Sequence, residues 1–95
     1  MHSALLLTDV LLTPARPAEL ATGLVGYVAC TVDFQLRLDS LALRRTTGGA
    51  YSIAFPERRD RNGERHPYMR PIDARARADI ERQIIGTLRA RGVIP

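Results

Sequence analysis

Residues 23–44, GLVGYVACTVDFQLRLDSLALR, decide the fold. From Gly23 to Val32 the chain alternates. Leu24, Val28, Cys30 and Val32 share one parity, with Gly26 among them, while Val25, Tyr27, Ala29 and Thr31 share the other. A period of two is the mark of a strand, and a glycine inside it marks a bulge or a close backbone approach. Asp33 is placed for a tight turn into a second strand, Phe34 to Arg44. In that strand Leu36 and Leu38 have one parity, and Leu41 and Leu43 the other. One extra residue near Asp39-Ser40 would put all four leucines on a single face; without it the strand is buried on both faces at different points.

Toward the N-terminus, Leu5 to Leu12 reads as another strand: it is short, lacks a helix cap and stops at Pro14. Thr13 to Thr22 is a surface connection with one helical turn at Ala18–Ala21. Toward the C-terminus, Arg44–Gly49 is a polar turn. Ala50–Phe55 is a strand with Tyr51, Ile53 and Phe55 at every second position, ended by Pro56. A protruding cationic loop follows, containing Arg58, Arg59, Arg61 and an Asn62-Gly63 turn, two residues that tolerate positive φ. Arg65 to Ile72 is an extended segment that Pro67 and Pro71 confine to a sheet edge or leave irregular.

Asp73 is a helix N-cap, Ala74–Ala90 the helix, and Gly92 its C′ residue. Ile80, Ile84 and Leu88 form one stripe that must pack on the sheet, opposite Arg75, Arg82 and Arg89. Arg77 and Arg91 fall near the stripe, with stems against the sheet and heads free for water or a ligand. Strands followed by a helix predict one α+β domain over residues 1–95: an antiparallel sheet of four to five strands with one C-terminal amphipathic helix.

Composition narrows the function. A 95-residue chain buries about 60–65% of its unfolded surface, enough for one core and too little for a large internal substrate pocket. Hydrophobic and charged fractions of 45% and 25% are those of an ordinary globular protein. The net charge is +4 and all fourteen basic residues are arginine. Residues 1–43 hold two arginines against four acids, whereas residues 44–95 hold twelve against six. A cationic half suggests phosphate-bearing partners. Cys30 is alone, so neither a disulfide nor a metal motif is available, and an inert buried thiol in a reducing, cytoplasmic setting is expected. There is no signal-peptide pattern, and no apolar run nears the ~20 residues of a membrane span.

Catalytic signatures are lacking. His66 has no Ser or Cys partner at a recognisable spacing, and Gly48-Gly49 lacks the rest of a phosphate loop, so the expectation is a non-enzyme without cofactor, metal or small-molecule substrate. Arg58, Arg59, Arg61 and Arg65 fall within eight residues, interspersed with Glu57, Asp60 and Glu64. Guanidinium forks suit phosphate oxygens and guanine edges, although these acids could pair with them instead. Tyr51, Phe55 and Tyr68 are candidates for base stacking, although a strand aromatic such as Tyr51 or Phe55 is more often part of the core. Arg75 and Arg77 would add phosphate contacts from the start of the helix.

This stretch resembles the SpoVG family of bacterial septation and stage V sporulation regulators. The matching residues are Phe55-Pro56-Glu57, Arg58-Arg59, Asn62-Gly63 and Arg70-Pro71-Ile72, preceded by Thr8-Asp9-Val10 and by Leu41 and Leu43, and followed by Arg77 and Ile80. Glu57, Arg65, Pro67 and Arg70 depart from the family's pattern. The resemblance implies a cytoplasmic homodimer, formed by pairing sheet edges, that binds DNA or RNA and regulates expression, with Arg58, Arg59 and Arg77 as contacts. Apolar residues on more than one strand face also favour a dimer, against a monomer whose edges Pro14, Pro67 and Pro71 block. The alternative is a protein-interaction module whose arginines and sheet edge take acidic partner proteins.

Overall fold

A computed structural model describes residues 5–95. Its elements are β1 (Leu7–Pro14), α1 (Pro17–Leu20), β2 (Leu24–Val32), β3 (Leu36–Arg45), β4 (Tyr51–Ala54), β5 (Glu57–Arg59), β6 (Arg65–Pro67) and α2 (Ala74–Ala90). Strands β1 to β4 form an antiparallel sheet in sequence order, and β5 pairs with β6 in a second, two-stranded sheet. The α+β class and the C-terminal helix are as the sequence predicts. The region after Pro56 differs: instead of a loop it is a β-hairpin. Its strands carry almost no apolar residues, so no hydrophobic alternation announces them.

The two central strands turn at Asp33-Phe34, where φ is 48° and 60° and the Gln35 amide donates to the Val32 carbonyl at 2.9 Å. Paired positive φ values characterise the tight hairpin turn whose twist matches the flanking strands. The expected bulge is present at Ser40, with φ 62°. Pairing steps from Val28↔Leu41 to Cys30↔Leu38, so Ala29 faces both Asp39 and Ser40. Leu38, Leu41 and Leu43 are thereby all buried on one face. Leu36 shares that face but remains 58% exposed, because β4 pairs only with Ala42–Arg45 and leaves the start of β3 uncovered.

A second bulge lies in β1, between Thr8 and Leu11, with Asp9 at φ 50°. It brings Leu7 and Val10 to the core together, though their spacing of three residues would otherwise oppose them. Pro14 does not stop β1; it pairs opposite Gly26, since an edge strand needs no outward donor. Gly26 is a close-approach glycine. A Cβ there would lie 2.4 Å from the Thr13 carbonyl oxygen.

Helix α2 lies over one face of the sheet. Ile80, Ile84, Ile85 and Leu88 pack with Val28, Cys30, Leu41, Leu43 and Ile53. Burial among these side chains pushes the Cys30 thiol pKa up, which keeps it protonated and inert. The Asp73 carboxylate caps the helix by accepting from the Ala76 amide at 2.8 Å. At the other end the Gly92 amide bonds the Arg89 carbonyl and the Val93 amide bonds Leu88, with Gly92 at φ 71°. This Schellman closure turns Ile94 back into the core.

The helix also holds both sheet edges through polar side chains. At β1, Gln83 accepts from the Leu7 amide at 3.0 Å and donates to the Leu5 carbonyl, and Arg91 donates to the Val10 carbonyl. At β4, Glu81 accepts from the Ile53 amide and Arg77 donates to the Ile53 carbonyl, each at 2.8 Å. The guanidinium groups of Arg77 and Arg91 thus give one donor each to the sheet, although both residues remain exposed. Each ends on an edge-strand carbonyl. Among the described residues no helix is long and apolar enough to cross a membrane.

Replacing Gly26 by alanine forces apart β1 and β2, whose contact there is backbone on backbone. The expected loss is about 1–3 kcal/mol, read as a lower urea midpoint with an unchanged m-value.

Candidate nucleic-acid interface

The β5–β6 hairpin begins immediately after Pro56 and displays the cationic residues singled out by sequence. Register places Arg58 opposite His66 and Arg59 opposite Arg65, and the ladder extends through the Tyr68 amide to the Pro56 carbonyl at 3.2 Å. Arg59 and Arg65 therefore occupy one face as a directly opposed like-charge pair, an unfavourable arrangement unless an anion sits between them. Arg58 points to the other face. Arg61 is in the connecting turn, and all four arginines are exposed.

The interspersed acids are mostly engaged. Glu57 pairs with Arg65 at 3.5 Å. Asp60 shapes the turn: its Oδ1 accepts from the Asn62 amide at 2.8 Å and the Glu64 amide at 3.0 Å, and its Oδ2 lies 2.7 Å from His66 Nε2. The His66 bond, chiefly, and the two turn amides hold the Asp60 carboxyl below its ordinary value of 3.8. Gly63, at φ 80°, lets the chain return to β6. Among the described residues Arg58, Arg59 and Arg61 have no ion-pair partner. The turn thus consumes the anion that could have neutralised them.

Asp60, Glu64 and His66 each bring one ligand atom within 4.8 Å of the others. A cation there would have to displace the Asp60–His66 contact while facing four nearby arginines, so the cluster is better explained as the closure of the turn. His66 pairs with Asp60, six residues away, a contact that sequence spacing does not reveal.

The remaining predicted contacts divide. Arg77 stands at the root of the hairpin: its guanidinium lies 5.9 Å from the Phe55 ring centre and 3.9 Å from Glu81, beyond its bond to Ile53. Arg75 lines a separate groove, whose walls include none of the hairpin arginines. Tyr51 and Phe55 pack against the core, and Tyr51 is further flanked by the guanidinium groups of Arg45 and Arg89, at 5.7 and 5.5 Å. Tyr68, by contrast, is largely exposed where the hairpin ends. The two strand aromatics are packed, as their strand positions favour, and Tyr68 is the free ring.

No protein-family model matches the sequence, and no curated protein matches it.

Because Asp60 is more acidic in the folded hairpin than in an unfolded chain, it favours the folded turn fully above about 3.9. That contribution disappears as pH falls through the lower folded value. The Asn62 and Glu64 amide resonances are expected to keep their native positions through the ordinary carboxylate range and to shift only below it. Asp60→Ala should speed hydrogen exchange at both amides at neutral pH; unchanged protection would contradict this account of the turn.

Proposed function

We propose that this chain is a dimeric, non-enzymatic nucleic-acid-binding regulator of the cytoplasm, akin to the SpoVG proteins and acting in gene expression and septation. The observation that carries this reading is the exposed hairpin on which Arg59 and Arg65 face each other while Arg58, Arg59 and Arg61 lack a counter-charge. A phosphate between opposed guanidinium groups relieves their repulsion and accepts forked hydrogen bonds. Tyr68, exposed beside them, supplies a face for an unpaired base. Arg77 supports the hairpin from its root and contributes charge, with one of its donors already held by Ile53.

The second copy joins along the β1 side of the sheet. The helix engages the backbone of this edge at Leu5, Leu7 and Val10, leaving Leu11 to Thr13 beyond the bulge. Leu11 and Tyr27 are exposed on the sheet face that α2 does not cover, so joining two sheets there removes apolar surface from water. Two hairpins then act on one backbone.

Titration with duplex DNA, single-stranded DNA and RNA tests the binding. Affinity on duplex DNA should fall with salt at a log–log slope of about −0.9 per neutralised phosphate, and Arg58→Ala with Arg59→Ala should make that slope shallower by about 1.8. Absence of binding to all three at low salt overturns the reading. Light scattering should return twice the 10.5 kDa chain mass; a monomer mass at every dilution removes the paired-hairpin arrangement while leaving the titration to stand on its own.

A further inference from the structure

The apolar groove beside the start of α2 lies apart from the hairpin arginines. It encloses about 750 Å³ and lies between Leu36 and Leu38 of β3, the segment Met69–Ile72, and the first turns of the helix. Three of its apolar walls stand in solvent: Ile72 is 89% exposed, Leu36 58% and Met69 42%. Exposed apolar residues scattered singly are ordinary, but several converging on one concavity mark a binding surface.

Two further features define what fits. First, the groove borders an uncovered length of sheet. β3 pairs with β2 from Leu36 onward, whereas β4 covers only Ala42–Arg45; among the described residues no strand pairs with the β4 side of Leu36–Leu41. That stretch is an open ladder in line with β4, with Leu36 and Leu38 directed into the groove and Arg37 on the opposite face. Second, the rim is cationic without compensation. Arg70 and Arg75 line the groove and have no acidic partner among the described residues, while the third arginine there, Arg82, is tied to Asp79. Arg75 sits in the first turn of α2, where the helix dipole adds to its positive charge.

We propose that this groove is a docking site for an extended segment of another protein, added as a strand beside Leu36–Leu41, with apolar residues toward the groove and acidic residues at its ends, beside the cationic rim. Its main chain completes the open ladder, its apolar side chains cover Leu36, Leu38, Met69 and Ile72, and its carboxylates meet Arg70 and Arg75 at the rim, Arg37 being held on the other face by the Asp9 carbonyl and the Thr31 hydroxyl. This is strand addition, in which backbone bonds give affinity and alternate side chains give selectivity. An acyl chain fills the groove but leaves the β3 backbone unpaired. A second copy of this chain brings its own Arg70 and Arg75 against the same residues, because a two-fold contact sets each patch against itself.

The test uses the full chain and a fluorescein-labelled octapeptide with a valine-rich centre flanked by glutamates, followed by anisotropy. Saturable binding is expected, weakened at least about tenfold by Leu36→Glu and by Arg75→Glu, with a lysine-valine octapeptide failing to bind. Ile72→Glu, at a position almost wholly in solvent, gives the same loss without risk to the core, and circular dichroism verifies that each variant is folded. The Arg58→Ala, Arg59→Ala protein should bind the peptide normally while losing nucleic acid, which separates this proposal from the hairpin reading. Failure of the glutamate-valine peptide to bind, equal binding of the lysine peptide, or indifference to all three groove substitutions overturns the proposal. So does a dimer that Leu36→Glu converts to monomer, since the groove's occupant is then a second copy.

Discussion

Everything in this fold depends on one helix lying across one face of a four-stranded sheet. Ile80, Ile84 and Leu88 bury against Val28, Leu41, Leu43 and Ile53, and each such side chain removed from water contributes about 1.5–3 kcal/mol. The same helix does a second job with its polar residues. The Gln83 amide presents one acceptor and one donor to β1, and the Glu81–Arg77 pair presents one of each to Ile53 of β4. Side chains thus occupy places where the backbone of a further strand would stand. Open edges invite uncontrolled pairing, and here the covering helix closes part of both.

What the helix does not cover acquires its character from that omission. β4 is only four residues long, so among the described residues the first half of β3 has no strand paired along its outer edge. Leu36, correctly oriented for the core by parity, is left in solvent for this reason. The hairpin of β5 and β6 lies outside the main sheet altogether and must be held by its own turn. Asp60 does this with two backbone amides and one imidazole. In doing so it holds that carboxylate away from a direct ion pair with the surrounding arginines.

Much of the architecture was legible in the sequence. Alternation located β2, β3 and β4, the parity break at Asp39-Ser40 located a bulge, and Asp73 and Gly92 bounded the helix, because these signals are local consequences of side-chain period and backbone φ. Arg58, Arg59, Arg61 and Arg65 were legible as a cluster for the same reason: proximity in sequence guarantees proximity in space. Tertiary structure alone decided which charges remain unpaired, since Asp60 turned to His66 and to the turn amides and not to an arginine. It alone decided that Arg77 and Arg91 end on strand carbonyls 24 and 81 residues away, that Tyr68 is free, and that Arg75 belongs to a groove. Sequence periodicity specifies which face a residue takes. What stands opposite that face depends on how far each strand extends and where the helix crosses, and those are settled only when the elements meet.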